Sequence, residues 1–234
     1  MVIRSVKYGE TSLIFDMYTQ QYGLASFIVN GARRPKSKLP SSLFQLMNWL
    51  ELVVYMKDPQ ALNRVKESQL IFHYNEIPFD LRKRSVALFM TEIVQKTIKE
   101  NESNPDLFAF LFDSYRFLDQ SKHSISNFHI LFLLDLSLYL GFRPIGTWSR
   151  ERPYFHLVSG NFVEMIHPLY TLEQSVSNTI SDLLQTNRES IHTLTISKEI
   201  RQDVLLSTIS FFRYHLERLP EIKTHKILAE VFGS

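Results

Sequence analysis

Residues 31–38 read GARRPKSK, and four of the eight are cations: Arg33, Arg34, Lys36 and Lys38. Guanidinium and ammonium groups at this density neutralise phosphate, so the chemistry on offer is polyanion binding rather than bond-making. Gly31 and Pro35 hold the stretch out of a helix. No Asp or Glu occurs between Asp16 and Glu51. Residues 1–75 contain nine Lys or Arg against five Asp or Glu, a balance of +4. The rest of the chain carries 17 against 19, so the whole comes to +2 and the positive excess lies in the first third. An ordinary solvated loop also looks like this, and charge alone leaves both readings open.

Other reactive constellations are missing. There is no G-x-S-x-G, phosphate-cradling P-loop, dinucleotide fingerprint or H-E-x-x-H. Seven glycines in 234 residues are too few for nucleotide-cradling loops. His123 and His129 stand six apart and share no helix face, and His156 and His167 stand eleven apart, so neither pair has metal-ligand spacing. With no cysteine, disulfides, thiol catalysis and cysteine-bound zinc drop out. A non-enzymatic protein without metal or cofactor is the expectation. The N-terminus lacks a signal-peptide core, and no apolar run is long enough for a bilayer, so a cytoplasmic setting away from membranes is expected. Arg213, Arg218, Lys223 and Lys226 are interleaved with Glu217 and Glu221, the pattern of a solvated helix face.

The elements that must carry the loop read as an α+β chain in two parts. Residues 1–75 are β-like. A strand at Met1–Lys7 leads to TSLIFDMYT, which alternates with Leu13, Phe15 and Met17 on one face. LASFIVN follows a QQYG turn. The basic loop comes next, then the apolar run 43–57 stopped by Asp58-Pro59, then an alternating run at 61–73. Five short strands in this length predict a small OB-fold barrel, the basic loop joining its third and fourth strands. Tyr18, Tyr22, Trp49 and Tyr55 in this part could stack on bases or pack inside, and their exposure cannot be read from spacing. Residues 76–234 are helical: 83–100 with a stripe of Ala87, Met90, Val94 and Ile98, 106–119 after a Ser103-Asn104-Pro105 start, and 124–144, apolar nearly all round and so central. A hairpin turned at 159–161 follows, then a helix opened by a Thr171/Gln174 capping box, an amphipathic helix over 198–219 and a short closing helix.

The stretch KYGETSLIFDMYTQQYGLASFIVNGARRPKSKL resembles the N-terminal domain of the bacterial RecO recombination-mediator family. The matching positions are Tyr8-Gly9-Glu10, Thr19, Gly23 and the Gly31-Ala32-Arg33-Arg34-Pro35-Lys36-Ser37 segment. Leu140-Gly141-Phe142-Arg143-Pro144 is similar to a helix ending of that family, and Arg213-Tyr214-His215-Leu216 with Lys223-Thr224 is similar to its closing pattern. Many members place four zinc-binding cysteines after the helix ending. This chain has none, so residues 145–168 must hold by packing, as in zinc-free members.

The resemblance implies an OB-fold nucleic-acid-binding domain at 1–75 and a helical domain at 76–234. It implies binding of single- and double-stranded DNA, annealing of complementary strands, and action with RecR, in some lineages with RecF, to let RecA replace SSB on DNA at the nucleoid. Arg33, Arg34, Lys36 and Lys38 would then be the principal phosphate contacts, with Arg4, Lys7, Arg64 and Lys66 on neighbouring strands. The acidic, apolar C-terminal tail of SSB needs an apolar groove beside a cation, for which Lys122 and His129 are the candidates. A barrel serving as a docking module for a partner protein, or binding RNA, stays open as the alternative.

Overall fold

The computed structural model describes residues 1–58 and 60–232. Residues 1–80 and 87–119 form one compact unit; residues 81–86 and the chain from Gln120 onward form the other.

The first unit is built on five strands, β1 (Val2–Tyr8), β2 (Ser12–Thr19), β3 (Gly23–Val29), β4 (Trp49–Tyr55) and β5 (Asn63–Phe72). Their order is β1-β2-β3-β5-β4, with β3 and β5 parallel and the other neighbours antiparallel. The sheet curls back on itself: the Val2 amide donates to the Asn48 carbonyl, and the Met47 amide donates to the Val2 carbonyl, both at 2.9 Å. This is the five-stranded OB-type barrel expected from the sequence. Alternation supplies its core, with Leu13, Phe15, Met17, Ala25, Phe27, Val29 and Val65 all pointing inward. Phe15 stacks on Phe27 at 5.5 Å and tilts against Phe44 at 4.7 Å. Each such buried side chain contributes roughly 1.5–3 kcal/mol.

The run 43–57 is not one strand. Ser41–Phe44 is a short 3-10 turn, and the side-chain amide of Asn48 donates to the carbonyls of Ser42 and Leu43. Met47 takes a positive φ of 72°, and pairing starts at Trp49 with a bulge before Leu50. Successive side chains of a strand point to opposite faces, so these two are buried in different places. Leu50 enters the barrel, while Trp49 meets Phe108, Phe112 and Tyr115 of the helix α2 (Pro105–Gln120) edge-on. Asn104 caps α2, its side-chain oxygen accepting from the Leu107 amide, as the Ser-Asn-Pro signal predicts. At the other end of α2 the buried Asp119 carboxylate accepts from the backbone amides of Asn75, Glu76 and Ile77. The strand stop assigned to Asp58-Pro59 falls partly on Pro59, outside the described residues.

Helix α1 (Leu81–Thr97) contributes to both units. In the second unit α3 (Phe128–Tyr139) is buried on nearly every face, as its all-round apolar sequence requires. It begins at Phe128 rather than 124, because residues 124–127 form a turn in which the Asn127 side-chain amide donates to the Leu194 carbonyl. The hairpin of β6 (Tyr154–His156) and β7 (Asn161–Val163) turns at Gly160, which has φ +66°. Its core is Phe155, with Phe162 at 5.3 Å and Phe211 at 5.6 Å. The Phe155 amide donates to the Ser177 hydroxyl, and Nε2 of His215 lies 3.0 Å from the Leu157 carbonyl. Packing and these bonds hold the segment that cysteines would hold around zinc. Thr171 is not a capping residue: it bonds back to His167, and Glu173 precedes α4 (Gln174–Leu184) with no side-chain cap bond. Helix α5 (Lys198–His215) stops four residues short of 219, and α6 (His225–Val231) follows.

Candidate nucleic-acid interface

The basic loop has a fixed backbone. Ala32 is buried in the barrel core, and its carbonyl accepts from the Ser41 amide. The Arg33 amide donates to the Thr11 carbonyl, and the Arg34 and Ser37 amides close two successive turns onto Gly31 and Arg34. Lys36 sits at a positive φ of 58°. The four cations then divide. Arg33 turns its fork onto the β1–β2 turn, donating to the Gly9 carbonyl at 2.6 Å and the Ser12 carbonyl at 3.4 Å. Arg34, Lys36 and Lys38 are exposed and, among the described residues, form no ion pair. The Tyr8-Gly9-Glu10 and Gly-Ala-Arg-Arg segments are thus one physical assembly, joined through Arg33 and a backbone carbonyl.

The Thr19/Gly23 pair has its own cause. Thr19 accepts from the Tyr22 amide and donates to the Gly23 carbonyl, closing the β2–β3 turn. A Cβ on Gly23 would stand 2.3 Å from the Glu102 carbonyl oxygen, so only glycine lets the two backbones approach.

The secondary candidates scatter. Arg4 is paired with Asp16 at 3.1 Å, which spends its charge locally. Lys66 is the inserted residue of a bulge on β5 and pairs with Glu67 at 3.2 Å. Lys7 lines a groove with Ser5, Val6, Arg33, Phe44 and Leu46, where β1 parts from the segment before β4. Arg64 lies exposed on β5 beside Tyr55. Of the four aromatics, Tyr18 and Trp49 are buried at 1% and 0% exposure, Tyr22 is half-buried, and Tyr55 is 57% exposed; Tyr8, at the end of β1, is 55% exposed.

In the helical unit, His129 lines a cleft with Lys198, Arg201, Leu205, Leu228 and Phe232. Phe232 stacks on the His129 ring at 5.9 Å. Burial, helped by the Arg201 charge, pushes the His129 imidazole down to about 3, so at neutral pH it supplies shape and no charge. The cations of the cleft are Lys198 and Arg201. Lys122 is exposed and does not line it. The signal for this site lies in α5: Lys198, Arg201 and Leu205 recur at helical spacing, which puts charge and an apolar group on one face.

Comparison with known proteins decides the family. The family described as "Recombination protein O N terminal" matches residues 1–74, and "Recombination protein O C terminal" matches residues 78–149. The chain belongs to the RecO family. It is 33% identical to the DNA repair protein RecO of Phocaeicola vulgatus, covering 100% of this chain and 97% of that one. Identity is 32% to the proteins of that name from Bacteroides fragilis and Flavobacterium psychrophilum, each covering 97% of the relative. RecO is a family of recombination and DNA repair proteins; its N-terminal part here is the barrel, and its C-terminal part takes in α1, α2 and α3. Among the described residues, no helix is long and apolar enough to cross a membrane.

Proposed function

We propose that this protein is a DNA-binding recombination mediator without catalytic activity. It binds single- and double-stranded DNA, anneals complementary strands and, with RecR and in some settings RecF, helps RecA replace SSB at the nucleoid. The observation that carries the reading is the ordered basic loop, in which three exposed cations are held on a fixed backbone. Complementary strands repel one another through their phosphates. A surface that neutralises phosphate without reading bases lowers that barrier for any sequence.

In this reading the strands of residues 1–75 meet DNA, and the helical domain at 76–234 meets protein partners. The cleft of His129, Arg201 and Phe232 suits the SSB tail: acidic side chains or the terminal carboxylate face Lys198 and Arg201, and an apolar residue enters between Leu205 and Leu228.

The test is salt-dependent binding to single-stranded DNA. Replacing Arg34, Lys36 and Lys38 together by Ala is expected to lower the slope of log K against log salt by about 2, at ~0.7 for each phosphate no longer neutralised. An unchanged slope would remove the loop from the interface. Loss of RecR binding with retained DNA binding would make the loop a protein-docking surface instead.

A further inference from the structure

Strand register arranges the outer face of the barrel in rows. Val6 lies opposite Ile14, Ile14 opposite Ile28, Ile28 opposite Arg64, and Arg64 opposite Tyr55. Directly paired residues share a face of the sheet. Their neighbours along each strand, among them Leu13, Phe27, Val65 and Val54, belong to the core, so this row points outward. It crosses all five strands, about 19 Å at ~4.8 Å per strand. Val6 and Tyr55 are exposed, Ile14 and Ile28 half-exposed. The row is apolar except for Arg64 and contains no acid.

The next row toward the β1–β2 turn begins with Tyr8, paired with Ser12, whose hydroxyl donates to the side-chain oxygen of Asn30. Gly9, one residue beyond Tyr8, accepts the Arg33 guanidinium. One exposed tyrosine therefore adjoins the basic loop, and the other stands at the far end of the row beside Arg64. Glu10 is the acid at that turn. The row on the other side is polar and self-satisfied: Arg4 and Ser26 both bond to Asp16.

We infer that this lane is the path of single-stranded DNA, with Tyr8 and Tyr55 stacking on unpaired bases, and that these two side chains add affinity for single strands that duplex does not gain. The inference rests on the nucleic-acid reading above. Loop cations neutralise phosphates of either form. An aromatic face can be covered only by a base that is not already stacked within a duplex, and Val6, Ile14 and Ile28 give such bases an apolar floor. Arg64 beside Tyr55 adds a phosphate contact at the lane's end. A peptide occupant would need acidic residues placed to meet Arg64, the one cation of the row.

The experiment measures affinity and salt slope for a labelled oligothymidylate and a labelled hairpin duplex. Tyr8→Ala and Tyr55→Ala are each expected to weaken oligothymidylate binding about 5- to 150-fold, the range for removing one base–aromatic stack. Duplex affinity and the salt slope should stay within error, because every phosphate keeps its cation. Tyr55→Phe, which keeps the ring, should bind as the unmutated chain does. Arg64→Ala should lower the slope by about 0.7. The lane is overturned if single-strand affinity is unmoved in both Ala variants, if both probes weaken equally, or if Tyr55→Phe loses as much as Tyr55→Ala. Failure of the unmutated chain to bind either probe overturns the nucleic-acid reading itself, a separate result.

Discussion

The two cationic surfaces of this chain are built on opposite plans. In the basic loop, Arg34, Lys36 and Lys38 stand in solvent on a backbone tied by hydrogen bonds. In the helical cleft, Lys198 and Arg201 stand beside Leu205, Leu228 and Phe232. Solvated cations accept any polyanion and are screened by salt. Cations beside an apolar wall select a ligand that carries both an acid and an apolar group. The first plan suits a long polymer that must be held without regard to sequence, and the second suits one particular peptide.

The contrast breaks most sharply at Arg201. Arg201→Glu is expected to weaken a fluorescent peptide carrying the C-terminal residues of SSB by roughly 3 kcal/mol, since it replaces a partly buried cation by an acid. The same change should leave the salt slope of DNA binding unmoved in titrations read by anisotropy.

Next in size is the pH response of the cleft. The unfolded chain takes a proton on His129 below about pH 6.5, but burial keeps the folded imidazole neutral until about pH 3. Stability from this group is therefore full above pH 6.5 and falls as pH drops through that window. The loss is about 2 kcal/mol by pH 5 at ~1.4 kcal/mol per pH unit. Urea denaturation of the unmutated chain and of His129→Phe at pH 7 and pH 5 isolates it: the variant should lack that increment.

The triple Ala replacement in the loop comes third. A slope lowered by about 2 makes the change in DNA affinity between 50 and 200 mM salt roughly 16-fold smaller, while SSB-peptide binding should not change.

The smallest effect concerns Arg33. Arg33→Lys keeps the charge but removes the fork that reaches two carbonyls, and should cost about 1 kcal/mol in urea denaturation. If Arg33→Ala lowers the DNA salt slope by about 0.7, as removing a phosphate partner would, Arg33 belongs with the three exposed cations.

What could be read from the sequence followed period and sign. Alternation in β2 and β3 places Phe15 and Phe27 inside, and the run of like charge locates the loop. Trp49 cannot be placed that way, because its burial comes from Phe108, Phe112 and Tyr115 of α2, more than 55 residues further along the chain. The division within the loop is hidden too: Arg33 is held by the carbonyls of Gly9 and Ser12, and backbone acceptors leave no trace in residue identity. Lys122 stands in for the cleft cations only when sequence nearness to α3 is taken for spatial nearness. Lys198 and Arg201 come from a helix about 70 residues further on. The outer lane needs the register of four strand pairs, which no single strand's pattern contains.

Asp119 has a consequence for anyone dissecting the chain. Its bonds to three backbone amides span 42 to 44 residues of sequence, and the helix that carries it also covers Trp49 and Phe72. A fragment ended at residue 80, ahead of α1, would keep every residue proposed above to meet nucleic acid, yet would expose an indole and leave the 75–77 turn without its acceptor. Such a fragment should be recovered from inclusion bodies, whereas one carried through Asp119 should stay in the soluble fraction. On the proposed reading, the smallest portable piece that carries the nucleic-acid surface is thus half again as long as the barrel.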